Sequence, residues 1–307
     1  MQDGTETGQW LGTFLVTSSA VAYSTAGYFT RLIDLDVYTL LFWRGLFAGL
    51  FMTICIVAMY RRDTLVTLRK IGVPGLFVAI LSTLATICYL SALRLTTVAD
   101  VMAINATSPF ISGAMAWLII GERENWKVMV ASLIALAGVV VMVGPGAMGG
   151  NAVGALLALA MTFSLALMIV IMRVKKSVSM LPASCLSAFL SAAVALPFVG
   201  AATPTGMNMV NLALFGIVQF GLGLILLTLG ARHVTALRSS MLSRLQTVLG
   251  PVWVWAAFGE IPATRTLIGG SLVVASALAA AHVASKPARQ QSNPASSAPA
   301  SARCRSR

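Results

Sequence analysis

Four ionisable side chains lie inside long apolar stretches of the sequence: Arg44, Asp100, Arg238 and Arg244. An ionisable group at the centre of a bilayer-spanning helix costs at least ~2.5–3.5 kcal/mol on insertion scales, so each is a candidate for function by default. The arginines could hold a carboxylate through paired N–H donors. The aspartate could carry a proton if burial lifted its pKa toward neutrality.

Arg244 is the leading candidate of the four. It follows the start of its apolar run, Thr235, by nine residues. At ~1.5 Å per residue that is about 14 Å along a helix, near the middle of a ~30 Å hydrocarbon core. At ~100° per residue it shares a face with Ser240, Thr247 and Pro251. Turned inward, such a face would seat a substrate carboxylate with hydroxyls beside it. The alternatives are that Arg244 binds backbone carbonyls or closes an internal gate. Arg238 lies one turn inside the end of the same run, on another face with Gln246, where snorkelling accounts for it as well as function does.

Arg44 and Asp100 sit at matching depth in their own runs, which allows an ion pair. Asp100 is also the one acid well inside a run and hence the leading candidate for proton coupling. An arginine partner would hold its pKa down, so the two roles compete. Asn105, Ser108, Ser239, Ser243 and Gln246 could complete a polar lining. The two amides are the better candidates, because a lipid-facing amide is costly whereas Ser often bonds its own helix backbone. The expected substrate-binding or gating set is therefore Arg244, Ser240, Thr247, Asn105 and Gln246, with Arg44 and Asp100 as an ion pair or proton-coupling site.

Other residues read more plainly. Trp117, Trp255 and Trp253 suit interface anchoring or packing better than substrate stacking. Glu122 and Glu260 close their runs and could cap or gate, but lie too shallow for a central site. Gly45 and Gly49 form a small-xxx-small pair suited to close helix packing. The sequence has no phosphate loop, no Gly-x-Ser-x-Gly elbow and no His-Glu-x-x-His. His233 and His282 lack a companion at metal-ligand spacing. No cofactor, no metal and no enzymatic centre is expected, and ATP-driven transport would need another subunit. Cys55, Cys88, Cys185 and Cys304 include no close pair and read as small apolar side chains; the Arg-Ser-Arg after Cys304 is not a prenylation box.

The elements that must position these residues follow from composition. Of 307 residues, 58% are hydrophobic and 10% charged, with a mean hydropathy of +0.89. Soluble proteins carry about 25% charged residues, so a soluble enzyme is excluded. Ten apolar segments can be read: Trp10–Thr30, Val37–Tyr60, Val73–Leu93, Thr97–Ile120, Trp126–Val143, Val153–Met172, Leu181–Val199, Leu212–Ala231, Thr235–Phe258 and Thr266–Val283. They must be helices, because lipid offers open backbone groups no partner, and they lack the alternation of barrel strands. The expected fold is all-α integral membrane, with ten transmembrane helices.

The net charge of +12 would point to nucleic acid in a soluble protein. Here the bases cluster between apolar runs instead, as they do at cytoplasmic membrane flanks. Arg61, Arg62, Arg69, Lys70, Arg123 and Lys127 fall on one side, as do Arg173, Lys175, Lys176, Arg232, Lys286 and Arg289. Only Arg31, Arg94 and Arg265 fall on the other. Twelve against three places both termini in the cytoplasm of a cell inner (plasma) membrane protein. Residues 285–307 read as a disordered basic tail. The first nine residues hold Asp3 and Glu6 but no base, so no cleavable signal is expected.

The stretch from Gly144-Pro145-Gly146 to Gly150 divides the chain into two groups of five segments that resemble each other. Arg94 falls on Arg232, Thr97 on Thr235, Trp117 on Trp255 and Gly121-Glu122 on Gly259-Glu260, at one offset of 138. Gly12 falls on Gly154 and Arg31 on Arg173, at an offset of 142. Because five is odd, the copies must lie in opposite orientation, as two inverted five-helix repeats. Many secondary carriers have this architecture, with the site at the midplane where the halves meet. The domains are then 10–143, a loop 144–152, 153–284 and the tail 285–307.

Particular residues carry a family resemblance. Tyr89-Leu90-Ser91-Ala92-Leu93-Arg94-Leu95-Thr96 resembles the third-to-fourth helix junction of the drug/metabolite transporter superfamily. Pro109, with Ile119-Ile120-Gly121-Glu122-Arg123 after it, is similar to the end of that superfamily's EamA-type repeat. Ala256-Ala257-Phe258-Gly259-Glu260 repeats the ending. The position matching Pro109 is Thr247, and Pro251 lies one turn later. The resemblance implies a central cavity lined largely by the third, fourth, eighth and ninth helices. It also implies transport of small metabolites, commonly export of amino acids or related compounds. The expected function is a secondary transporter of a small polar, carboxylate-bearing metabolite working by alternating access, most readily in export. Uptake by the same fold, a channel and an intramembrane enzyme are the alternatives. The expected partners are a small-molecule substrate and the lipid bilayer, not nucleic acid, with a homodimer left open.

Overall fold

The computed structural model describes residues 3–61, 72–121, 126–143, 151–175, 180–200, 204, 206–234, 239 and 242–285. Among these residues the regular structure is helical and there is no strand. The first half contains α1 (Asp3–Ser24), α2 (Ala26–Leu32), α3 (Val37–Tyr60), α4 (Gly72–Leu95), α5 (Val98–Asn105), α6 (Ser108–Ile120) and α7 (Trp126–Val143). The second contains α8 (Asn151–Val174), α9 (Met180–Ala195), α10 (Met207–Leu214), α11 (Gly223–Gly230), α12 (Leu245–Phe258) and α13 (Thr264–Ser285). A 3-10 turn, Leu196–Phe198, ends α9, and a π-helical segment, Phe215–Leu222, joins α10 to α11.

Among the described residues, six stretches are long and apolar enough to cross a membrane: Val37–Tyr60, Gly72–Leu95, Val98–Ile119, Ala152–Met172, Met180–Phe198 and Met207–Gly230. Leu245–Phe258 is apolar but shorter. The chain is a multi-pass membrane protein.

The helix breaks have local causes. Between α1 and α2, the hydroxyls of Ser24 and Thr25 donate back to the carbonyls of Val21 and Ala22 at 2.6 and 2.7 Å, a pattern that bends helices. Between α5 and α6 the chain turns at Ala106–Thr107, just before Pro109. Proline has no N–H and its ring crowds the carbonyl four residues back, which favours a kink or break there. The second half breaks at Arg244, before α12, where the Thr247 amide donates to the Arg244 carbonyl at 2.9 Å. That is Ala106 displaced by the repeat offset of 138. The bend therefore recurs at the matching position although Thr247 replaces the proline. Both units also end alike. Gly121 (φ 75°) and Gly259 (φ 67°) are left-handed C-caps whose amides donate to Trp117 and Trp255, a conformation that glycine adopts without steric cost.

Packing follows the same duplication. The α4–α8 contact has its counterpart in α1–α11, α6–α8 in α1–α12, and α4–α9 in α3 against the π segment. The pairs α3–α9 and α7–α13 each join equivalent helices of the two halves. Close approach is bought with glycine. A Cβ on Gly12 would meet His233 and Val234, and one on Gly154 would meet Leu95 and Thr96, the same positions 138 residues earlier. Gly45 lies against the Ala188 carbonyl and Gly49 against Phe189, so the small-xxx-small pair does seat α3 on α9. Leu40, Leu90, Leu93, Ile104, Met161 and Phe215 form part of the buried centre.

Candidate functional site

A cavity of about 270 Å³ lies between the two halves. Its polar wall takes Arg44 from α3, Tyr89 from α4, Asn105 from α5 and Gln219 from the π segment, with Ser243 and Gln246 flanking the break at Arg244. Tyr23 of α1 lines it as well. The lining also includes four methionines: Met102, Met161, Met168 and Met180. Among the described residues no Asp or Glu lines the cavity, and no His/Cys/Asp/Glu group could hold a metal ion.

Arg44 is the central cation. Its side chain is buried, with 4% exposure. Its Nη2 donates to Gln219 Oε1 at 3.1 Å, while its buried Nε has no partner among the described residues. The guanidinium carbon lies 4.8 Å from the Phe215 ring centroid and 4.6 Å from that of Phe220, within cation–π range. The π segment explains how one helix supplies two rings and an amide: bonds of the i→i+5 type bring residues five apart onto one face, and such segments occur often at functional sites. Its glycines let it lie flush on α3. A Cβ on Gly216 would stand 2.7 Å from the Arg44 carbonyl oxygen, and one on Gly221 2.6 Å from Phe51.

Of the residues expected from sequence, Arg44, Asn105 and Gln246 meet at this cavity, joined by Ser243. Arg244 and Thr247 lie on the same break but are not among its lining residues, and the Arg244 side chain has no ion pair among the described residues. Ser240, Arg238 and Glu122 lie outside the described residues. Ser108 and Ser239 are buried away from the cavity. Asp100 does not pair with Arg44 in this structure. It is buried elsewhere, with Oδ1 accepting from the Thr266 hydroxyl at 2.6 Å and Oδ2 from that of Thr96 at 3.1 Å. Those bonds tie α13 to the start of α5.

Gln219, Phe220, Tyr23 and Tyr89 are cavity residues that the sequence reading passed over. Gln219 carried a usable signal: it is the one amide in the run Leu212–Ala231, where a lipid-facing amide would be costly. The aromatic residues carried none, since such side chains are ordinary in spans.

A second polar cluster joins the ends of α2, α4, α5 and α12. Arg31 Nε donates to Glu260 Oε2 at 2.9 Å and its Nη2 to the Thr96 carbonyl at 3.0 Å. Glu260 Oε1 accepts from the Val98 amide at 3.0 Å. Thr96 follows the cavity residue Tyr89 by seven positions, roughly 10 Å along the helix at 1.5 Å per residue. Nearby, Arg94 donates to the carbonyls of Ile33 and Leu35, fastening the α2–α3 turn. Trp253 donates to Ser24 at 2.9 Å and so packs α12 on α1. Trp117 and Trp255 are both 56% exposed on the outer surface.

Residues 10–144 and 152–281 each match the model of the EamA-like transporter family. A solved chain recorded as "Crystal structure of protein" is similar over 89% of this chain and 97% of its own, at 22% identity and a TM-score of 0.58. At that identity the likeness concerns the fold alone. No curated protein matches this chain.

Proposed function

This chain belongs to the EamA-like transporter family, and from that premise we propose that it is a secondary carrier exporting a small carboxylate-bearing metabolite, an amino acid or an amino-acid derivative. One observation carries the substrate chemistry: among the described residues, the cavity between the halves is lined by a buried arginine whose hydrogen-bond partner is a neutral amide and by no acid to neutralise it. A carboxylate would pair with that guanidinium, with Asn105 and Gln246 within the same cavity to orient it.

The proposal includes ten spans, two inverted five-helix repeats and rocking of one half against the other about the cavity. The matched breaks, matched glycine caps and exchanged helix pairs support it. Both termini lie in the cytoplasm and the membrane is the inner one, as the basic flanks favour. The Arg31–Glu260 end then faces outward, and the bonds that join its helices would have to part for the cavity to open on that side. Arg244, at the break and off the cavity wall, acts in gating together with Ser240 and Thr247. Asp100 holds helices together rather than shuttling a proton. The chain transports without an enzymatic step.

Reconstitution into liposomes with labelled amino acids and their derivatives tests the function. Saturable exchange, accelerated by substrate on the far side, is expected. Linear flux without that acceleration would make it a channel.

A further inference from the structure

We propose that the cavity selects amphipathic monoanions, carboxylates whose nitrogen is acylated or absent, over zwitterionic amino acids. This deepens the carboxylate reading above and rests on it.

The charges in and around the cavity carry the inference. Arg44 is its cation, and among the described residues no acid lines it. Two acids of the described helices are already engaged elsewhere: Asp100 by the hydroxyls of Thr96 and Thr266, Glu260 by Arg31 and the Val98 amide. A bound zwitterion would place its ammonium in the same low-dielectric space as the Arg44 guanidinium. Only neutral acceptors would face it, so that charge would be desolvated without a counter-ion. A monoanion meets no such penalty, and its single charge is the one the cavity lacks.

The rest of the wall fits the other half of such a molecule. Met102, Met161, Met168 and Met180 form a soft, adaptable apolar surface. A cavity of about 270 Å³ has room for a small amphipathic acid. Monoanion export also accounts for the cavity's carrying, among the described residues, no acid for proton coupling. An inside-negative membrane potential drives a negative charge outward by itself, so no coupling ion is needed.

Three compounds that share one side chain and differ in charge give the test: N-acetyl-leucine (anion), leucine (zwitterion) and leucinamide (cation). Each is assayed on the full chain by thermal stabilisation in detergent and by flux in proteoliposomes under an imposed potassium-diffusion potential. N-acetyl-leucine is expected to stabilise the protein at concentrations at least tenfold below leucine. Its flux is expected to follow the sign of the potential, and leucinamide is expected to be inert. Arg44→Gln should abolish the preference for the anion, and Arg44→Lys should retain part of it. Leucine acting as well as N-acetyl-leucine would overturn the monoanion inference while leaving the carboxylate reading in place. Leucinamide acting as well as either, or none of the three acting, would overturn both.

Discussion

Arg31 and Glu260 are 229 residues apart in sequence and meet at 2.9 Å, joining the end of α2 to the cap of α12. Glu260 also accepts from the start of α5 through the Val98 amide. One carboxylate thus pins two helices of the first half to the ninth segment at a single face of the molecule. Both side chains are about a quarter exposed, so the pair contributes little to folding, on the order of 1 kcal/mol at most.

Such a pair acts on the balance between two arrangements of the halves more than on stability. Removing about 1 kcal/mol of closing energy would shift that balance roughly fivefold. In Glu260→Gln, a cysteine introduced at Ser19 in the cavity should react several-fold faster with an impermeant thiol reagent applied from the Arg31 side. Melting should fall by no more than a few degrees. An unchanged labelling rate would mean that this end is closed by packing alone.

Arg44 and Arg244 should separate kinetically. Arg44→Gln removes a charge-assisted contact worth about 1.5–3 kcal/mol, raising the KM for substrate by about 10–100-fold. Arg244→Ala, off the cavity wall, should lower the maximal rate and leave KM within about threefold. Flux measured against substrate concentration in proteoliposomes checks both. The reverse pattern would return the substrate contact to Arg244.

Gly216→Ala should destabilise the fold. The added Cβ would stand 2.7 Å from the Arg44 carbonyl oxygen, a backbone atom that cannot step aside. Overpacking of this kind costs roughly 1–3 kcal/mol, and it would also lift the π segment from α3. A lower melting temperature together with weaker substrate binding is expected. Gly200→Ala, where the nearest neighbour is the Asp36 carboxylate at 3.9 Å, is the tolerant control.

Asp36 caps α3 by accepting from the Thr39 amide at 2.8 Å and the Thr39 hydroxyl at 2.5 Å. Partial burial pushes its carboxyl up, but these hydrogen bonds outweigh it and hold the pKa below the ordinary value. The folded form thus favours the carboxylate. Its stabilising contribution is fully present above the unfolded pKa of about 3.9 and is lost as pH falls through the lower folded value. The melting temperature of Asp36→Asn, compared with the parent from pH 6 to pH 3, should show a shallower acid decline. Parallel profiles would remove Asp36 as a source of acid sensitivity.

The long apolar runs, the duplicated Gly-Glu endings and the offset of 138 were legible in the sequence because each is a property of one helix and its ends. So was the membership of Asn105 and Gln246 in the cavity, since an amide in an apolar run has to face something polar. The partner choices were not legible. Asp100 was expected beside Arg44 from depth alone, yet depth does not say which way a helix is turned, and two threonine hydroxyls on neighbouring segments claim the carboxylate instead.

Arg244 shows the physical limit most clearly. Its direction was taken from a rotation of ~100° per residue, which puts it on one face with Thr247 and leaves Gln246 on another. That grouping holds, but Ser243 and Gln246 reach the cavity while Arg244 and Thr247 do not, so the other face is the one turned inward. In the second half's preceding segment, the π turn carries Gln219 and Phe220 to Arg44. By itself, then, the sequence determined that the chain crosses a membrane repeatedly and is built of two like halves. Which arginine lines the cavity was decided only by the tertiary structure, because the packing of one half on the other sets the rotation of every helix about its axis.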